Sequence, residues 1–137
     1  MNKIEKEVLN EYARDYSVEA TSYEAMGKML DERYVEERLK AFDINEMYIY
    51  GGTYLAIQLY RVGKKYTNIK GIVDRSGKII MNENIFVVTL DEFKKIYKGE
   101  KIIVTPIRYF PQIQNDLTVF VDKKDIISIG ELLMGLV

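Results

Sequence analysis

MYIYGGTYLAIQLYR, residues 47–61, holds two periodicities on either side of a glycine pair. MYIYG is a short apolar run ending in glycine and reads as a strand. From Thr53 to Val62 the period becomes helical, with Leu55, Leu59 and Val62 on one side. Gly63 and the Lys64-Lys65 pair suit the helix end, glycine by its backbone freedom and lysine by its charge against the helix dipole. A strand meeting a helix across Gly51-Gly52 is how a phosphate-holding βα turn begins. It is equally a way to build a tight corner.

The same alternation continues downstream. NIKGIVD (68–74) reads as a second strand, IFVVT (85–89) as a third, KIIVT (101–105) as a fourth and DIISI (125–129) as a fifth. Turns are predicted at Arg75-Ser76-Gly77-Lys78 and at Asn82-Glu83-Asn84. Thr89-Leu90-Asp91-Glu92 is a capping box, opening a short helix that buries Leu90 and Phe93 and stops at Gly99. Pro106 ends the fourth strand. Pro111 fits the first turn of a helix with the stripe Ile113, Leu117 and Phe120. The tail, GELLMGLV, reads as a short apolar helix. Strands alternating with helices predict an α/β fold, a parallel sheet with helices on both faces. Right-handed crossovers then give a Rossmann-like order, 3-2-1-4-5.

The first 43 residues have no proline and read as two helices. Ile4, Val8, Tyr12 and Tyr16 recur every four residues, and Leu9 and Ala13 widen their face. Thr21-Ser22-Tyr23-Glu24 fits a capping box for the second helix, whose stripe runs Met26, Leu30, Tyr34, Val35, Leu39 and Phe42. Residues 1–45 are therefore expected to be a helical extension and 46–137 the Rossmann-like domain. The extension either packs on that domain or serves as an arm for a homodimer or a partner protein.

Composition narrows the function. The chain has 137 residues, enough for one domain with a real core. Its net charge of −1 and lack of a basic stripe give no footprint for nucleic acid. Without cysteine or histidine, thiolate catalysis, disulfides and the commonest metal ligands are excluded, as is the usual general base near neutral pH. No metal or paired catalytic carboxylates are expected. No apolar run is long enough to span a bilayer, and the charged N-terminus does not read as a signal peptide, so a cytoplasmic location is expected.

In a sheet of this order ligands bind beyond the C-terminal strand ends, between strands one and four. Gly51 and Gly52 close strand one there, and the next helix aims free N–H groups at the same place. Asp74 lies 23 residues after Gly51, where a ribose-binding carboxylate belongs. Reading G-x-G-x-x-G from Gly51, Thr53 takes the second glycine place and Ala56 the third. Alanine still allows close packing, but a β-branched side chain fills the space a pyrophosphate would use. Thr53 instead offers a helix cap or a hydroxyl to a phosphate, with Tyr54 beside it. Arg75 follows Asp74, and the pair also reads as a turn. Thr105, Pro106 and Arg108 stand across the crevice, where Arg108 either meets a phosphate bidentately or is a solvated arginine.

The blocks IYGGTYLA (49–56), GIVDRSGK (71–78), FVVTLDEF (86–93), IIVTP (102–106) and DIISIGELL (125–133) resemble, in order and spacing, the small Rossmann-like module of bacterial surface-polysaccharide biosynthesis proteins. That module occurs in sugar-nucleotide dehydratases and epimerases, and a related version forms the N-terminal part of some sugar-nucleotide acetyltransferases. The resemblance implies that Gly51 and Gly52 take the phosphate-turn place, Asp74 the ribose or base contact, and Thr105 and Pro106 the opposite wall. It implies a nucleotide-sugar rather than NAD as ligand, because Thr53 departs from the dinucleotide pattern while acetyltransferase-type modules tolerate a hydroxyl there. The catalytic domain that usually accompanies the module is not in this sequence. The expected function is a non-catalytic nucleotide- or nucleotide-sugar-binding module. The alternatives are an NAD-dependent oxidoreductase or epimerase-type domain, and a structural interaction module that has lost ligand binding and works through its helices, a reading supported by Thr53 and by the apolar tail Leu132, Leu133, Met134, Leu136 and Val137.

Overall fold

The computed structural model describes residues 2–51, 54–77 and 85–135. Five parallel strands form one sheet in the order β3-β2-β1-β4-β5. They are β1 (Glu46–Tyr50), β2 (Asn68–Val73), β3 (Val87–Val88), β4 (Lys101–Val104) and β5 (Ile126–Ser128). The helices are α1 (Lys3–Met29), α2 (Glu32–Ala41), α3 (Tyr54–Gly63), α4 (Leu90–Ile96), α5 (Phe110–Leu117) and α6 (Ile129–Met134). The expected α/β architecture and strand order are those observed.

The alternation within β1 divides the core in two, because successive strand side chains point to opposite faces. Met47 and Ile49 join Leu55, Ala56 and Leu59 of α3, Leu132 and Leu133 of α6, and Ala25, Met29, Val35 and Leu39 of the first two helices. Tyr48 and Tyr50 join Phe93 of α4 and Ile113 and Leu117 of α5 on the other face. β4 divides likewise, with Ile103 on the first face and Ile102 and Val104 on the second. The connection through α3 and those through α4 and α5 run in opposite directions across the sheet, so one handedness puts their helices on opposite faces.

The N-terminal region departs from expectation at its break. α1 is one continuous helix of 27 residues, opened by a capping box between Asn2 and Glu5. The Thr21–Glu24 box starts nothing, because Ser22 lies inside the helix and donates its hydroxyl to the Val18 carbonyl at 2.9 Å, one turn back. The break comes after Leu30, where Asp31 takes the extended conformation and caps α2 by accepting from the Tyr34 N–H at 3.2 Å. Packing also differs from the simpler expectation. The second half of α1 and all of α2 share the core of the sheet, but every residue from Asn2 to Arg14 is exposed.

The helix of the tail, α6, is held by α2. Arg38 donates its Nε–H to the Leu132 carbonyl at 2.6 Å and Tyr34 donates its hydroxyl to the Leu133 carbonyl, so α2 satisfies carbonyls at the open end of α6. Leu132 and Leu133 are fully buried, which corrects the expectation of an apolar tail available to a partner. Leu136 and Val137 lie outside the described residues, as do Lys78 and the expected turn at 82–84. The third strand is shorter than the expected 85–89, pairing only at Val87 and Val88 on the sheet edge.

At the N-terminal end of the sheet, Glu100 is nearly buried. Its carboxylate accepts from Lys70 at 2.8 Å and from the Lys98 N–H at 2.7 Å. Burial pushes this carboxyl up, and the Lys70 ammonium and backbone N–H groups outweigh it, leaving it below its ordinary 4.5. A carboxyl lowered on folding stabilises above its unfolded value and loses that contribution as pH falls through its folded value. Stability measured by urea unfolding should therefore fall as pH is lowered below about 4.5, and Glu100→Gln should flatten that part of the profile. Asp31→Ala should cost about 1 kcal/mol for the lost cap. Thr21→Ala should cost nothing, since alanine is the better helix former at an interior position.

Candidate functional site

The corner after β1 is built by contact across the sheet. Gly51 has φ +117°, a conformation that disfavours any side chain. A Cβ placed there would lie 2.5 Å from the Thr105 Oγ1 and 2.9 Å from the Pro106 Cδ. The Tyr50 carbonyl accepts both the Thr105 N–H and the Thr105 hydroxyl, each at 3.0 Å, while the Gly51 N–H donates to the Val73 carbonyl at 2.8 Å. Gly51 and Thr105 thus lock the C-terminal ends of β1, β2 and β4 together. Ala56, in the third glycine place, is fully buried against the sheet, the close approach that place requires. Gly52 and Thr53 lie outside the described residues, so the phosphate-turn and helix-cap readings of them do too.

The remaining expected residues divide between two neighbouring clefts. One, of about 510 Å³, opens between the β1 and β2 ends and α5, and holds Gly51, Asp74, Arg75 and Pro106. The other, of about 540 Å³, lies between α1 and the head of the sheet, and holds Tyr54, Thr105, Pro106 and Arg108. Pro106 and Tyr109 line both.

Several expected ligand groups already have partners. Asp74 takes the Ser76 N–H at 3.2 Å and the Ser76 hydroxyl on Oδ2, and its carbonyl accepts from the Gly77 N–H at 3.0 Å. It is therefore a turn residue, as the alternative reading held, and it also faces the first cleft. Its Oδ1 accepts no hydrogen bond among the described residues. Arg75 is mostly exposed and reaches Asp116 of α5 at 3.8 Å. Arg108 pairs with Asp15 of α1, so its guanidinium meets the N-terminal helix. The Thr105 hydroxyl is spent on Tyr50.

Six contributors, in three groups, were not legible in the sequence. Tyr109 and Gln112 enter the first cleft from the segment after Pro106. Val18, Tyr23 and Met26 of α1 wall the second. Most telling is Tyr50, which lines the first cleft and is only 4% exposed. Its hydroxyl is buried without a hydrogen-bond partner among the described residues. Alternation in MYIY puts Tyr48 and Tyr50 on one face, but only packing leaves the Tyr50 hydroxyl buried without a partner among the described residues. No group of three or more acidic residues suited to a metal occurs among the described residues, and no described helix is long and apolar enough to cross a membrane.

Comparison with protein-family models, with curated proteins and with solved structures gives no match. The geometry of the two clefts is therefore the basis for assigning function.

Gly51→Ala tests the corner apart from any ligand. Both the positive φ and the Thr105–Pro106 contact oppose a methyl group, so the variant should lose more than about 1 kcal/mol in urea unfolding. A loss of a few tenths or less would mean that the corner relaxes freely.

Proposed function

We propose that this chain is a non-catalytic module that binds a phosphorylated ribosyl or glycosyl compound, a nucleotide-sugar above all, in the cleft between the β1 and β2 ends and α5. Surface-polysaccharide synthesis is the setting implied by the sequence resemblance. The observation that carries the reading is the Tyr50 hydroxyl. A buried polar group without a partner costs about 1–3 kcal/mol, and a ligand oxygen would recover part of that once the side chains closing the hydroxyl off from the cleft move aside. Three further facts support it. The cleft lies beyond the C-terminal strand ends beside the reversal of strand order. Its volume of about 510 Å³ falls within the range of small-molecule sites. Asp74 has an oxygen to offer to sugar hydroxyls.

A second reading, an interaction module without ligand, is favoured by the Asp74–Ser76 and Arg108–Asp15 contacts, which engage groups a nucleotide would use. Thermal unfolding with UDP-sugars, dTDP-sugars, CDP, NAD(H), NADP(H) and inorganic phosphate separates the two. A ligand of the folded state raises the midpoint, and at one hundred times its Kd it adds about 2.7 kcal/mol. We expect a rise selective for one nucleotide-sugar class. Tyr50→Phe should leave stability without ligand unchanged or slightly higher, because the hydroxyl satisfies nothing, yet weaken ligand binding about three- to tenfold. Asp74→Ala should weaken ribose-containing ligands and leave inorganic phosphate unaffected. A rise with NAD(H) alone would favour the dinucleotide reading. No rise with any compound would overturn ligand binding in favour of the interaction module.

A further inference from the structure

The first half of α1 is an amphipathic helix whose apolar side meets solvent. Ile4, Val8, Leu9, Tyr12 and Tyr16 are 71%, 62%, 53%, 71% and 68% exposed. They do not form a heptad seam. Ile4, Val8, Tyr12 and Tyr16 make one straight ridge of residues four apart, and Glu5, Leu9 and Ala13 make the next. A shallow, open groove runs between Ile4, Val8 and Tyr12 on one side and Glu5 and Leu9 on the other. A ridge of this kind beside a groove of the same pitch is self-complementary. The ridge of one helix seats in the groove of an identical helix when the two cross at about −50°.

We infer that the residue 3–16 arm of α1 pairs with the same arm of a second copy of this chain, forming a two-fold crossed-helix dimer. Three observations choose a second copy over another partner. The five side chains expose about 500 Å² of apolar surface per copy. That is at the upper end of what a monomer tolerates. Two copies together offer about 1,000 Å² of apolar surface, the scale that a specific interface needs, with the side chains nearest the crossing point covered most fully. The arm is nearly neutral: Lys3, Lys6 and Arg14 stand against Glu5, Glu7, Glu11 and Asp15, a net charge of −1. Two copies meet without strong repulsion, and an oppositely charged partner gains nothing. Finally, a ridge that fits its own groove closes with two copies and leaves no free edge for further growth.

Every residue from Asn2 to Arg14 is exposed, so this part of the arm can be altered without touching the core or the Asp15–Arg108 pair. Sedimentation equilibrium of the full chain at tens of micromolar should give twice the 16.0 kDa monomer mass. The double variant Val8→Glu with Tyr12→Glu should return to 16.0 kDa with the melting of the head retained. The chain has no cysteine, so a single introduced one is a clean probe of the crossing point. Val8→Cys or Tyr12→Cys should oxidise to a covalent dimer near the two-fold axis, and Asn10→Cys, off the ridge, should not. A monomeric wild type, a dimer that survives the double variant, or an assembly of three or more copies would each overturn the proposal.

Discussion

The Tyr50 carbonyl, held twice by Thr105, is the contact on which the functional end of this protein depends. It welds β1 to β4 where the order of strands reverses, and it does so against Gly51, whose missing Cβ leaves room for the threonine hydroxyl and the Pro106 ring. With the corner closed in this way, the segment after β4 turns back at Pro106 and carries Arg108, Tyr109 and α5 over the strand ends. Both clefts are consequences of that turn. A glycine that looks like a ligand-binding device is first a structural one, and the clefts beside it inherit its shape.

The division of β1 into two faces explains why the site is asymmetric. On the side of Met47 and Ile49, α1, α2, α3 and α6 fill the space down to fully buried aliphatic side chains. On the side of Tyr48 and Tyr50 the core is aromatic. Phe93 meets Tyr48, Tyr97 and Phe120 edge to face, with ring centres 4.8–5.8 Å apart. Burial, with Asp125 and Glu100 nearby, pushes the Tyr97 hydroxyl up to about 12, so it stays a neutral phenol throughout the ordinary pH range. Tyr50 belongs to the same layer and lines the cleft beside α5, and its buried hydroxyl has no hydrogen-bond partner among the described residues. The charged pairs Lys70–Glu100 and Lys101–Asp125 gather at the opposite end of the sheet, each with an oxygen–nitrogen distance of 2.8 Å, and serve the fold rather than the cleft.

Local signals were legible where local physics decides. The Thr89–Glu92 capping box forms as read, because an N-cap needs only residues within one turn. The box at Thr21–Glu24 obeys the same pattern and fails, because the helix through it is continuous and its second half is pinned to the core through Ala25 and Met29. An N-cap motif states only that a helix can begin, and packing on both sides of it determines whether one does. The fate of the two apolar stripes was equally illegible. Ile4, Val8, Tyr12 and Tyr16 have as regular a period as the stripe of α3, yet one row is exposed and the other buried. Period reports which residues share a face and is silent on what that face meets.

Sequence alone determined the alternation of strands and helices, the parallel sheet and its order, since hydrophobic period and the handedness of crossovers leave few alternatives. It also placed Gly51 and Asp74 at neighbouring strand ends, because their spacing follows from one βαβ unit. Tertiary structure alone decided that Arg108 turns to Asp15, that Thr105 spends its hydroxyl on Tyr50, that α6 is fastened by Tyr34 and Arg38, and that the Tyr50 hydroxyl is left without a partner among the described residues. The first three join residues dozens of positions apart. Nothing in a local pattern encodes which polar group will find an acceptor once the helices have packed.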